Sequence, residues 1–140
     1  FTPSIVRARP PLGPRARRAG WVGSTISLDF IPTIGRIEVV REGVPVAKGD
    51  VRRAWRRSAF LGVLDTESRG WLADVLACVD RLGDEPFVLD DVYRFEAHLQ
   101  DIHPGNRHVR PKIRQQLQVL RDQGLIEFLG QGRYRKAGPE

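Results

Sequence analysis

Five cations and no acid stand between positions 107 and 121: Arg107, Arg110, Lys112, Arg114 and Arg121, with Gln115 and Gln118 among them. At about 100° per residue, Arg110, Arg114, Gln118 and Arg121 form one stripe of a helix. Pro111 and Gln115 also turn away from its apolar side. Guanidinium and carboxamide groups bond phosphate oxygens and the paired donors and acceptors of purine edges. The chemistry predicted here is recognition of a duplex groove, not bond breaking. The plainer alternative is a solvated basic helix packed on a core.

Hydrolytic chemistry has no such pattern behind it. A metal-dependent nuclease needs carboxylates to hold its ion, commonly with an acid two residues before a Lys. The Lys residues are Lys48, Lys112 and Lys136, and the residues two before them are Val46, Arg110 and Tyr134. His98, His103 and His108 are five apart, a spacing that puts them on no common helix face, and Pro104-Gly105 interrupts them. With one distant cysteine there is no zinc pattern and no metal site is expected. No Gly-rich phosphate loop or G-x-S-x-G motif occurs.

The elements that position the stripe are legible. Val109, Ile113, Leu117 and Leu120 share one side of the same helix, beside that stripe. Pro111 fits only a first turn, so the helix is predicted to begin near 109–111, and Gly124 to end it. Before it, Trp71, Leu72, Val75, Leu76, Val79 and Leu82 follow helical spacing from Gly70 to a stop at Gly83. Pro86-Phe87-Val88 reads as a short extended piece. A second helix follows with Asp90 as N-cap and Val92, Tyr93, Phe95, Leu99 and Ile102 inward. Residues 103–106 (HPGN) turn into the basic helix. After Gly124, residues 125–129 read as a strand with Ile126 and Phe128 on one face, and Gly130-Gln131-Gly132 turns it back through Arg133 and Arg135. Helix, short strand, helix, turn, helix and hairpin make a winged helix-turn-helix over 67–137, with Gln131, Arg133 and Arg135 on the wing.

The first half reads differently. Residues 1–20 hold five Arg, four Pro and no acid. This density of Pro predicts an extended arm without regular structure, offering Arg15, Arg17 and Arg18 to phosphates or serving as a solvated linker. It is a poor transit peptide, because the prolines break any amphipathic helix. Ile26 and Leu28 alternate with polar residues as in a strand, Pro32 opens a loop to Gly35, and residues 36–41 (RIEVVR) are a strand turned by Glu42-Gly43 into 44–47. Residues 51–60 form a basic helix with Val51, Trp55 and Ala59 on one side, and 61–69 is a connector. These strands are too few to stand alone.

The chain has 140 residues, a net charge of +6 and a pI near 10.4, which favours a polyanionic partner, with nucleic acid ahead of an anionic membrane surface. No run is long and apolar enough to span a bilayer. The single Cys78 allows no internal disulfide and points to a reducing cytoplasm. Met is absent and residue 1 is Phe, so the chain reads as part of a longer protein.

The run DDVYRFEAHLQDIHPGNRHVRPKIRQQLQVLRDQGLIEFLGQGRYR resembles the winged-helix domain of the Dam-replacing proteins, the DpnI-like restriction endonucleases, with KIRQQLQVLRDQGLIEFLGQGRYR its most specific part. RRAGWVGSTISL, IPTIGRIEVV and the Trp55 region are similar to the end of the same family's catalytic domain. The resemblance implies an α+β chain: residues 1–66 a remnant of a PD-(D/E)XK-type nuclease domain, residues 67–137 the winged helix. It implies a parent enzyme that uses Mg²⁺ to cut double-stranded DNA at GATC sites carrying N6-methyladenine, with catalytic acids upstream of RRAGW. This chain, starting too late to hold them, is then expected to bind and not cut. Trp21 matches an aromatic presented to the adenine methyl groups; the alternative is a Trp packed under a sheet edge. Arg110, Arg114 and Gln115 match the reading surface, Asn106 and Arg107 the turn before it. Lys112, Arg121, Arg133 and Arg135 are expected on phosphates, and Arg110 or Arg114 on guanine. A monomer is expected. The competing functions are a winged-helix transcription regulator, for which 21–60 offers no effector pocket or dimer helix, and a winged helix used for protein contacts, whose faces are usually less charged.

Overall fold

The computed structural model describes residues 5–138. The first four residues of the predicted arm lie outside them.

The core belongs to the second half. Helix α2 (Thr66–Arg81) starts earlier than Gly70, because Asp65 caps it by accepting from the Ser68 amide at 2.9 Å. It buries Trp71, Leu72, Val75, Leu76, Cys78 and Val79, and Gly83 ends it at φ +86°. Strand β5 (Phe87–Val88) is the predicted extended piece. The predicted second helix is two: α3 (Leu89–Tyr93) and α4 (Glu96–Ile102), broken at Arg94 and Phe95. Asp90 is not the cap. The Asp91 carboxylate accepts from the Val88 amide at 2.9 Å, and Val88 is the N-cap, so the helix starts two residues sooner.

Helix α5 (Val109–Asp122) begins and ends where Pro111 and Gly124 require. Val109, Ile113, Leu117 and Leu120 are all buried, packed on α2, α3 and α4. Burying each aliphatic side chain contributes about 1.5–3 kcal/mol, so this face fixes the helix's rotation and hence which residues look outward. Strands β6 (Ile126–Gly130) and β7 (Arg133–Lys136) form the hairpin, turned by Gln131 and Gly132 at φ +50° and +73°, the twist a two-residue hairpin loop needs. The hairpin does not stand alone: β7 also pairs with β5 through Phe87 and Tyr134, making a three-stranded sheet in the order β5-β7-β6. Ile126 is buried, whereas Phe128 on the same strand stays half open against Tyr134, with ring centroids 5.2 Å apart.

The first half departs from expectation more. Among its described residues the arm is irregular only beyond residue 8. Strand β1 (Val6–Ala8) pairs antiparallel with β2 (Ser24–Ile26), and backbone bonds from Arg9 to Gly23 and from Leu12 to Trp21 extend the ribbon toward its tip. Its prolines, Pro10, Pro11 and Pro14, fall beyond the paired strand, where no ladder donor is lost. Leu28 lies not in a strand but in a single 3-10 turn, Leu28–Phe30, and a second such turn is Thr33–Gly35. Of the predicted strand 36–41 only β3 (Val40–Arg41) pairs, with β4 (Val44–Pro45), across Glu42 and Gly43 at φ +49° and +81°. The basic helix α1 (Lys48–Ser58) begins three residues early, and Trp55 is 63% exposed, not packed inward.

This half is fixed to α2 and α4 by specific contacts. The Thr33 amide donates to Asp80 Oδ2 at 2.6 Å, the Arg81 guanidinium lies over the Phe30 ring at 4.3 Å, and Phe30 stacks on His98 at 5.4 Å. Arg69 ties down the connector by donating to the carbonyls of Leu61 and Leu64, at 2.8 and 2.7 Å.

Candidate nucleic-acid interface

Because α5 buries one face, Arg110, Arg114, Gln115, Gln118 and Arg121 are all left exposed. Two of them are held by the preceding helices. Arg110 Nε donates to Glu96 Oε2 at 2.7 Å, and this ion pair raises the guanidinium's pKa above its ordinary value. Its Cζ lies 4.9 Å from the centre of the Tyr93 ring. Arg114 Nε donates to the Tyr93 hydroxyl at 2.5 Å. Arg121 sits at the far end of the stripe, paired with its neighbour Asp122 at 2.9 Å.

The turn before α5 is built as tightly. Asn106 Oδ1 accepts from the His108 amide at 2.7 Å, so its side-chain oxygen closes the turn, leaving its NH₂ as the group able to reach a ligand. Gln100 Nε2 donates to the Asn106 carbonyl at 2.9 Å. Arg107 is exposed. Lys112 is half-buried, with its Nζ 6.0 Å from the Trp71 ring centre. An open notch of about 420 Å³ lies at this end of the helix, with Asn106, Arg107, Lys112 and Gln115 on its wall.

On the hairpin, Gln131 occupies the turn and Arg133 is exposed beside it. Arg135 is drawn back onto the sheet by Glu127, at 2.7 Å. Lys136, the next residue, pairs with Asp84 at 2.7 Å.

Arg15, Arg17 and Arg18 are exposed around the tip of the β1–β2 ribbon. Trp21 stands on the same ribbon, 55% exposed, so it is not packed under a sheet edge. Its ring folds over Gly23: a Cβ there would stand 2.9 Å from the Trp21 ring. The residues singled out from sequence thus fall into two sets, α5 with the hairpin and the ribbon with Trp21. Tyr93 and Glu96 were not among the residues singled out. The apolar pattern counts Tyr93 as inward, but Tyr93 ends α3 and Glu96 begins α4, and on either side of the break at 94–95 each meets an arginine of α5. A hydroxyl and an acid three apart, just before a basic helix, were the available signal.

Among the described residues no three of His, Cys, Asp and Glu gather closely enough to hold a metal ion. No helix among them is long and apolar enough to cross a membrane.

Helix α2, the broken pair α3 and α4, and the basic helix α5, followed by a β-hairpin wing, define a winged helix-turn-helix, a class of DNA-binding module. The family model described as the Dam-replacing HTH domain matches residues 67–136, and the Dam-replacing family model matches residues 1–63. The chain belongs to the Dam-replacing family.

Proposed function

We propose that this chain supplies DNA recognition to a methyl-directed restriction endonuclease, binding double-stranded GATC sites that carry N6-methyladenine. The observation that carries this reading is the two-sided build of α5. Four apolar residues are buried on one side while Arg110, Arg114, Gln115 and Gln118 are exposed on the other. α5 enters the major groove, Arg114 or Arg110 reads guanine through a bidentate contact of about 1–3 kcal/mol, and Lys112, Arg121, Arg133 and Arg135 meet phosphates. With about five phosphate contacts, log K falls with log salt at a slope of about −4 to −5.

A methyl on adenine N6 offers one CH₂-sized apolar group, about 0.8 kcal/mol when buried. One reading surface therefore discriminates only a few-fold. The exposed ring of Trp21, with Arg15, Arg17 and Arg18 on the same ribbon, is suited to a second reading of the methylated site. Two surfaces that must both engage multiply their preferences.

Residues 1–66 are read as the end of a nuclease domain. On this reading the catalytic acids belong to a part of the parent's nuclease domain outside these residues, and no hydrolytic step is drawn through this chain. The chain is read as a cytoplasmic monomer. A transcription regulator remains the second reading, favoured by the helix-turn-helix alone.

Gel-shift titration of a fully methylated GATC duplex beside its unmethylated twin tests the proposal, with Arg114→Ala as the variant. Tighter binding of the methylated duplex is expected, together with loss of about tenfold or more for Arg114→Ala at unchanged thermal stability. Equal affinity for the two duplexes would reject methyl reading.

A further inference from the structure

Arginine is a poor reader of bases while its long side chain is free, because ordering it on contact costs rotamer entropy. On this helix the two candidate readers are ordered before any contact. Both are held at Nε: Arg114 by the Tyr93 hydroxyl at 2.5 Å, Arg110 by Glu96 at 2.7 Å. The Tyr93 ring faces both guanidinium groups, with centroid distances of 4.9 Å to Arg110 and 5.8 Å to Arg114. A bond at Nε uses the inner flank of the guanidinium. Among the described residues neither arginine makes a hydrogen bond through its terminal nitrogens, and that terminal edge is one that can form a bidentate contact with guanine O6 and N7.

We propose that Tyr93 is a positioning residue for base reading: its hydroxyl sets Arg114, and its ring seats Arg110 beside it, with both terminal N–H edges kept for the duplex. This role rests on the DNA-reading function proposed above. Tyr93 closes α3 and is half-buried, so the helix break at 94–95 that follows it fixes where its hydroxyl stands. A base-reading arginine anchored this way gains selectivity rather than general affinity, because phosphate contacts tolerate a mobile side chain and bidentate base contacts do not.

The test is a double-mutant cycle with Tyr93→Phe and Arg114→Ala, read by equilibrium binding to a methylated GATC duplex and to a scrambled duplex of the same length. Tyr93→Phe keeps the ring and its packing and removes only the hydroxyl. The expected result is a loss of about five- to tenfold on the GATC duplex, no change on the scrambled one, and no further loss when Arg114 is already alanine. A wild-type protein that discriminates the two duplexes beside a Tyr93→Phe variant of equal affinity would overturn this role alone. Equal losses on both duplexes, or an undiminished loss in the Arg114→Ala background, would overturn it too, since the hydroxyl would then act on stability or elsewhere. Wild-type protein that prefers neither duplex would instead remove the reading function on which the role stands.

Discussion

His103 Nε2 lies 2.8 Å from Asp74 Oδ2, and the same imidazole stacks on Trp71 with ring centroids 4.0 Å apart. Asp74 is on α2 and almost fully buried, while His103 ends α4 and opens the turn into α5. This pair therefore couples the central core helix to the turn that leads into α5. Gly70 packs beneath the ring, where a Cβ would meet His103 at 3.7 Å.

His103→Ala should thus do two things. It removes one partner of a buried carboxylate, costing about 1–3 kcal/mol of stability in urea unfolding. It also loosens residues 104–107, which amide hydrogen exchange would register as faster exchange at Asn106 and His108. Unchanged stability and exchange would show that the turn is held without this pair.

Glu96→Gln frees Arg110 from its only ion pair among the described residues. Both side chains are substantially exposed, so stability should change little. Binding should change more: affinity for any duplex rises, the salt slope steepens by about 1, and the ratio of GATC to scrambled affinity falls. Titration at several salt concentrations measures all three.

Burial pushes the Cys78 thiol up to about 12 from an ordinary 9.0. The folded chain therefore keeps this proton where the unfolded chain loses it. Stability from this group is present below pH 9 and declines as pH rises past it. At pH 8 a thiol reagent should label native protein at least about a hundredfold more slowly than urea-unfolded protein. Fast labelling of native protein would contradict the packing of α2.

The Asp65 carboxyl is held below its ordinary value of 3.8, chiefly by its hydrogen bonding with Ser68 at the start of α2. A lowered carboxyl pKa stabilises the fold above the unfolded value, and this contribution disappears as pH falls through the folded value. Asp65→Ala should lower the thermal midpoint at neutral pH, with the gap to wild type closing as pH drops below 3.8. A gap independent of pH would mean that the cap acts without its charge.

Much of α5 was decided by residue order alone. The 3.6-residue repeat of Val109, Ile113, Leu117 and Leu120, with Pro111 and Gly124 at its ends, sets the helix, its buried face and therefore its exposed stripe. These are local rules, each satisfied within one or two turns. The same holds for the two tight hairpin turns, where Glu42-Gly43 and Gln131-Gly132 supply the positive φ that the strands' twist demands.

What tertiary structure decided is which partners those residues meet. Residues 6–8 form a strand only because residues 24–26 come back beside them, a pairing across a Pro-rich loop that no local pattern announces. The hairpin gains a third strand because β5, nearly fifty residues earlier, lies against β7. Trp55 and Trp71 look alike to a hydrophobicity pattern, yet Trp55 is exposed and Trp71 buried, since exposure depends on what the rest of the chain covers. The seating of Arg110 and Arg114 on Glu96 and Tyr93 spans 14 and 21 residues and depends on the break between α3 and α4. Composition and periodicity can place a charge on a face; only the packed chain sets the direction in which it is held.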